Sequence, residues 1–325
     1  MRLFSVFLLT VSCVCAQAGD GPPSPQNLPV FDYSGQRLQQ HWAQLMSGPR
    51  LPYPDQQWLQ ATFSRYPDIL KHTLTLAGEA NAHPALRALQ AGDSAPLTAA
   101  IQDVWRLHYE GQFQQAFSLG MQLGPAGAVP ALYSRLMYAT LLIQDPAKKL
   151  TLFRSAAAES ARLLPLAEED AFARFGQAYA HARILELLDT RAATGSGYLN
   201  DTQDTLQSLQ ELNPQTPLYP AMLGGIQAGV VGRVGSFIGR ITYGATATRA
   251  EQAFERALGL EPHLPVIYNE YAKALGLMDA AHYHKRRLEL LEQCTSLSVY
   301  SAEEALNRQA CARQLTQLQQ DNQHD

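Results

Sequence analysis

The sequence predicts an all-α protein, an α-solenoid of antiparallel helix pairs with an irregular helical N-terminal cap. Apolar residues recur at helical spacing along most of the 325 residues. Prolines and glycines divide this pattern into segments of helix length, and no segment alternates apolar and polar residues as a strand does for more than a few positions. With 46% hydrophobic and 17% charged residues, the chain has room for a substantial buried core.

The first 18 residues predict export. A basic residue, an apolar run and the small residues Ala16 and Ala18 have the pattern of a secretory signal peptide, with cleavage after Ala18. The apolar run is too short to remain as a membrane anchor. Lipidation of Cys13, as in bacterial lipoproteins, is the alternative, although Thr10 stands where such sites carry leucine or a similar residue. We therefore expect a periplasmic protein without stable membrane insertion.

The next two segments lead into the helical part. Residues 19–33 contain Gly-Pro-Pro-Ser-Pro and predict an extended linker. Residues 34–92 contain short helical patterns separated by prolines, without a repeated unit. They predict the irregular cap, which begins with Leu38, Trp42 and Leu45 on one helix face.

Residues 93–300 predict the stacked helix pairs. In the clearest unit, Ala250, Phe254 and Ala257 share one helix face, and Pro262 follows the helix. This unit resembles the second helix of a tetratricopeptide (TPR) repeat, which is a helix-turn-helix of about 34 residues. The resemblance implies that neighbouring pairs bury their apolar faces against each other and that the array encloses a concave surface.

The C-terminal region predicts a terminal cap. Ser301 and Glu304 have the spacing of a capping box, which begins a helix over 301–319 with many polar residues. Such a helix suits the end of a repeat array, and residues 320–325 are expected to form a disordered tail.

Two cysteines, Cys294 and Cys311, remain after removal of the signal peptide. An even number of cysteines in an oxidising compartment favours a disulfide, here across a helical hairpin. Closing this loop is worth roughly 3 kcal/mol on the chain-entropy account. Two free thiols are the alternative.

Charge and motifs narrow the function. The formal net charge is −4 and there is no long basic stripe, which argues against nucleic acid or an anionic membrane as the main partner. No nucleotide-binding, serine-hydrolase or zinc-protease motif occurs, and we expect neither a cofactor nor a metal. His282 and His284 would point in nearly opposite directions on a helix, so they are poor joint metal ligands.

The TPR resemblance also suggests binding residues, because such repeats bind through the inner face of the first helix of each pair. An aromatic and polar groove of this kind is typical of peptide recognition. The positions that correspond in this chain are Trp105, His108, Tyr109, Arg135, Asn269 and Lys273. For Trp105, a place in the buried core is the alternative.

A glycine-rich segment between residues 224 and 239 is the second candidate region. Gly235 and Gly239 are predicted to line the inner face of their helix, where small residues permit close approach of a ligand or partner. Arg240 is placed to grip a carboxylate or a peptide C-terminus. Tight helix packing or a helix break is the alternative for the glycines, and a solvated charge for the arginine.

These observations predict a non-catalytic interaction module that binds a protein or peptide of the cell envelope on its concave face. The main alternative is a small-molecule or solute-binding protein that works with a transporter, since the chain is also loosely similar to the helical T-component of TRAP transporters. A cavity closed by residues 224–243 would favour that alternative. An envelope enzyme without a recognisable motif is the third possibility.

Overall fold

The computed structural model describes residues 28–321. Within this range there are seventeen α-helices, one short 3-10 helix at Leu164–Leu166 and no strand, so the all-α prediction is confirmed. The predicted signal peptide at 1–18 and most of the predicted linker lie outside the described residues, as do the last four residues of the predicted tail.

Five helices form the N-terminal part of the described chain. Asp55 caps the third, because its carboxylate accepts a hydrogen bond from the Trp58 backbone N–H at 2.7 Å. Pro67 and Pro84 stand at the first position of the next two, where the missing N–H costs nothing. The helices are α1 (Arg37–Gln40), α2 (Trp42–Leu45), α3 (Gln56–Arg65), α4 (Pro67–Ala77) and α5 (Pro84–Gln90).

Twelve further helices make up the rest. Asp145, Asp170 and Thr246 each cap a helix by accepting a backbone hydrogen bond from its first turn. The helices are α6 (Ala95–Tyr109), α7 (Phe113–Gln122), α8 (Pro125–Leu141), α9 (Pro146–Leu163), α10 (Ala171–Leu187), α11 (Thr190–Gly195), α12 (Tyr198–Leu212), α13 (Leu218–Tyr243), α14 (Ala247–Leu260), α15 (Pro265–Asp279), α16 (His284–Ser296) and α17 (Ala302–Asp321).

The helices alternate between two positions in the packing. Helices α6, α8, α10, α13, α15 and α17 each contact the next in that order, and α17 returns to contact α6 and α8. Helices α7, α9, α12, α14 and α16 each contact the two members of this series that flank them in sequence. The first series therefore forms a closed circuit, and Leu306 of α17 belongs to the same buried cluster as Trp105 of α6.

The N-terminal residues cover part of this circuit. Trp42 lies edge-on to Trp105, with 5.7 Å between ring centroids, and the Tyr109 hydroxyl donates to the Leu45 carbonyl at 3.2 Å. Tyr33 reaches the other end of the chain, because its hydroxyl donates a hydrogen bond to a carbonyl in the loop before α17. The N-terminal segment thus fills space that an open array would leave to solvent.

Helix α13 is broken at Gly235. This residue has φ 80° and ψ 159°, a combination that residues with a side chain rarely adopt. Beyond the break the chain turns back, since a side chain at Gly239 would come within 3.7 Å of both Val230 and Val231. In a straight helix positions 231 and 239 would be about 12 Å apart. We call residues 236–243 the α13 tip.

Among the described residues, α13 is the one helix that is long and apolar enough to cross a membrane by length and composition. However, the break at Gly235 shortens the continuous helix, which covers only residues 218–234. At 1.5 Å per residue this part is about 26 Å long, less than the roughly 30 Å of a bilayer core. The shape of α13 is thus that of a helix with a folded-back end.

The predicted disulfide is present. It joins Cys294 of α16 to Cys311 of α17, whose Cα atoms are 6.2 Å apart. Both cysteines are fully buried in a cluster with Phe254, Tyr268 and Leu290, which connects α13 to α17. The bridge therefore fixes α17, a member of the closed circuit, to α16, which covers the junction of α15 with α17.

Candidate functional site

A cavity of about 670 Å³ lies among α10, α11, α12, α13 and α15. Most of its lining is apolar. The cavity reaches the surface beside Leu277, which lines it and is 62% exposed. Its size is in the range of sites that enclose small molecules. Apolar side chains from four of the helices contribute to the wall: Phe175, Leu199, Met222, Ile226, Val230 and Ile267.

Two glycines of α13 make room for the cavity. Gly225 and Gly229 lie one helical turn apart in its wall, and a Cβ atom added at either would meet nothing within 4 Å. Any larger residue there would project a side chain into the cavity. The space therefore depends on the absence of two side chains.

The neighbouring glycines serve packing instead. A Cβ atom at Gly224 would lie 2.6 Å from Cδ2 of Phe254, and one at Gly232 would lie 2.6 Å from the carbonyl oxygen of Leu277. Such distances are too short for atoms that are not bonded, so α14 and α15 approach α13 at these points. Tight packing, one of the explanations offered for the glycine-rich segment, thus holds at Gly224 and Gly232.

One wall of the cavity carries an ion pair. A guanidinium nitrogen of Arg183 lies 3.1 Å from a carboxylate oxygen of Glu270, and a second lies 2.9 Å from Glu186. The guanidinium also lies over the Tyr179 ring, 4.9 Å from its centroid. Lys273 joins the group, with its Nζ 2.8 Å from Glu270. These contacts link α10 to α15 across the cavity.

The electrostatics of this pair keep both groups charged. Burial alone would raise the pKa of Glu270, but Arg183 and Lys273 outweigh it and lower that pKa to about 2. Burial likewise opposes the charge on Arg183, and Glu186 and Glu270 together raise its pKa well above the usual value. The cavity is therefore lined mainly by apolar side chains, and on one side by the charged groups of Arg183 and Glu270.

The residues predicted from the sequence fall in several places. Trp105, His108 and Tyr109 of α6 are buried, and so is Asn269 of α15. Their side chains contact other parts of the same chain and do not line an open groove. Arg135 lies at the junction of α8 with α7 and α9, where its guanidinium is 2.7 Å from Ser155 Oγ and 3.7 Å from the Phe117 ring centroid.

The remaining predicted residues lie near the cavity. Lys273 belongs to the charged wall described above. Gly235 is the break in α13, Gly239 is the buried contact of the α13 tip, and Arg240 is exposed on that tip. Together with the buried Asn269, five of the nine predicted residues thus lie on α13 or α15.

His108 forms a buried polar network. Its Nδ1 lies 3.0 Å from Ser134 Oγ and its Nε2 lies 3.1 Å from Glu303 Oε2, and the Tyr133 hydroxyl donates to the same carboxylate. The set of groups is that of a serine hydrolase triad. However, His108 and Ser134 are fully buried, and the serine hydroxyl already donates to the Pro130 carbonyl at 2.8 Å. No substrate can reach this serine, so we assign the network to the packing of α6, α8 and α17.

A second polar chain joins α15 to α17. Asn269 donates to the Asn307 side chain at 3.0 Å, and Gln314 donates to Asn269 at 2.7 Å. Asn307 in turn donates to the Glu303 carbonyl. Buried polar groups that are all paired hold a unique arrangement. In this protein the side chains of Asn269 and Asn307 form their hydrogen bonds within the chain, so they are not available to a partner in an open groove.

Glu304 lies at the start of α17, beside this network. Its carboxylate accepts a hydrogen bond from the Tyr300 N–H at 2.6 Å, and its own N–H donates to Ser301 Oγ at 3.2 Å. Burial, opposed by the Tyr300 hydrogen bond and assisted by Glu303, raises the pKa of Glu304 to about 7. This carboxyl group therefore titrates near neutral pH.

Among residues 28–321, no group of three or more His, Cys, Asp or Glu side chains could hold a metal ion. No family model matches the sequence, and no curated protein matches it.

Proposed function

We propose that this is an exported, non-catalytic binding protein of TPR-like helix pairs that holds an apolar small molecule in the cavity between α10 and α15. The cavity, opened by Gly225 and Gly229, is the observation that carries the proposal. A site of about 670 Å³ with a mostly apolar wall and a few polar groups is typical of small-molecule binding. Arg183 and Glu270 supply those polar groups and would orient a ligand.

The packing order supports the TPR-like, solenoid part of the proposal. Helices of one series pack side by side, and each helix of the other series covers the junction between two of them. The extra helix α11 and the broken α13 interrupt this regularity at the cavity. We infer that these departures from the repeat serve the ligand.

The cavity favours a small molecule over the envelope peptide expected from the TPR resemblance. A peptide groove needs open side chains on the inner helices, and His108 and Asn269 are paired within the chain instead. The periplasm and a partnership with a transporter remain parts of this proposal, because a carrier of apolar molecules needs a donor and an acceptor.

A thermal-shift screen tests the proposal. Chain 19–325, which contains every described residue, would be screened against apolar small molecules and, separately, against short peptides. A ligand that binds only the folded state raises the melting temperature as its concentration rises. We expect shifts from apolar compounds and none from peptides. If peptides alone raise the melting temperature, the protein is an adaptor and the cavity is not its binding site.

A further inference from the structure

The α13 tip has an exposed apolar face. Phe237, Ile238 and Ile241 are 64%, 47% and 65% exposed. Ile238 and Ile241 follow Phe237 by one and four positions, so the three side chains lie on one side of the helix. Seven large hydrophobic residues are exposed in the described chain, and three of them lie within these five positions. This concentration sets the tip apart from the scattered exposed apolar residues of an ordinary surface.

The charged residues in the stretch of sequence that carries this face are all arginines. Arg233, Arg240 and Arg249 are exposed, and the sequence has no acidic residue between Glu211 and Glu251. The chain as a whole carries a net charge of −4, so the segment differs in sign from the rest. An apolar face bordered by arginines is typical of helices that lie in the interface of a membrane.

Arg240 is free to bind outside the protein. Its guanidinium makes no hydrogen bond or ion pair with any residue of the described part of the chain. Arg233 and Arg249 donate to backbone carbonyls, those of Leu185 and Gly244, so their positive charges are not neutralised either. Lipid phosphates would supply the missing counter-charges.

We propose that the α13 tip is a docking surface for an anionic lipid bilayer. Phe237, Ile238 and Ile241 enter the interface, and the arginines contact lipid phosphates. A second copy of the chain is a poorer occupant for two reasons. The basic groups would repel one another across a symmetric contact, and three side chains supply far less than the roughly 800 Å² per partner of a stable interface.

The tip adjoins the cavity. Val234, just before the break, and Tyr243, the last residue of the tip, both line the cavity. Docking would therefore bring the cavity close to the membrane surface, which shortens the path of an apolar molecule through water. The docking itself does not depend on a ligand, so it is tested separately from the proposed function.

Vesicle co-sedimentation of the ligand-free chain 19–325 provides the test. Vesicles of phosphatidylcholine alone would be compared with vesicles of three parts phosphatidylcholine and one part phosphatidylglycerol. The variants are Phe237→Ser with Ile241→Ser, and Arg240→Ala. Their matched controls are Leu212→Ser and Arg313→Ala, which change exposed residues outside the tip.

The wild-type chain is expected to sediment with the anionic vesicles and to dissociate as salt is added. Arg240→Ala should weaken binding about fivefold. The apolar double variant should reduce it more than tenfold, and both controls should bind as the wild type does. The proposal is overturned if the wild type does not bind anionic vesicles, if it binds neutral ones equally well, or if the tip variants bind normally. It is also overturned if light scattering shows a dimer that the tip variants dissociate, because the occupant is then a second copy.

Discussion

Replacing Gly229 with leucine should stabilise the protein and impair ligand binding at the same time. The new side chain has room, since a Cβ atom at this position meets nothing within 4 Å. Leucine is preferred to glycine inside a helix by about 1 kcal/mol. Burial of its side chain against the apolar cavity wall adds up to about 2 kcal/mol. We therefore expect the free energy of unfolding to rise by about 1–3 kcal/mol.

Two measurements on the same variant are needed. Urea denaturation gives the free energy of unfolding. Titration with N-phenyl-1-naphthylamine, a dye that fluoresces in apolar sites, gives the affinity of the cavity for an apolar molecule. The leucine side chain occupies the space that the dye would use, so its affinity should fall at least tenfold.

Gly259→Leu is the control. Gly259 is an exposed glycine of α14, and a Cβ atom there also meets nothing within 4 Å. The control should gain about 1 kcal/mol from helix preference and leave dye affinity unchanged. The reasoning is refuted if Gly229→Leu lowers the free energy of unfolding, or if it binds the dye as tightly as the control does.

Three further predictions concern stability. Gly224→Ala should lower the free energy of unfolding by about 1–3 kcal/mol in urea, because its Cβ atom would lie 2.6 Å from Cδ2 of Phe254; a gain would contradict the close packing of α13 on α14. Serine at both Cys294 and Cys311 should cost roughly 3 kcal/mol in the same assay, and an unchanged value would mean that the bridge does not form. Glu304→Gln should remove a pH dependence. The pKa of Glu304 is raised from 4.5, its value in the unfolded chain, to about 7 in the folded state. Between these two pH values the carboxyl group is protonated in the folded state and ionised in the unfolded state. The free energy of unfolding of the wild type should therefore fall by roughly 3 kcal/mol relative to that of the variant from pH 4.5 to pH 7. Parallel curves for the two proteins over this range would refute the assignment.

Much of the fold follows from local sequence. Helix periodicity, the prolines at helix starts and caps such as Asp145 act within a few residues, so they can be read without a structure. The Cys294–Cys311 bridge was equally accessible, because it spans one helical hairpin. The contact of α17 with α6, which closes the circuit of helices, could not be predicted in this way. It joins His108 to Glu303, which are 195 positions apart, and no local pattern encodes such a contact.

That closure also explains the limits of the site prediction. Transferring the inner-face positions of an open TPR array selected Trp105, His108 and Tyr109, and the N-terminal segment and α17 bury them. The glycine-rich segment did indicate the cavity region. The residues predicted within it were Gly235 and Gly239, because the prediction assumed an unbroken helix across residue 235.

Two features of the sequence indicate the position of the cavity, a spacing of glycines and an inserted helix. Gly225 and Gly229 differ by one helical turn, which is the spacing of a bare strip along one helix face. The insertion that forms α11 in the preceding pair widens the same region. Neither signal states a volume, since that depends on how α10 and α15 pack around the strip.

Photolabelling with an apolar diazirine tests the central claim most directly. The chain 19–325 would be irradiated with a long-chain aliphatic diazirine, digested and examined by mass spectrometry for modified peptides. Binding in the cavity predicts labels on α10, α13 before Gly235 and α15, at side chains such as Phe175, Met222 and Ile267, and predicts that Gly229→Leu removes them. Labels that persist in Gly229→Leu, or that fall only on exposed residues outside these helices, would contradict a ligand site in the cavity.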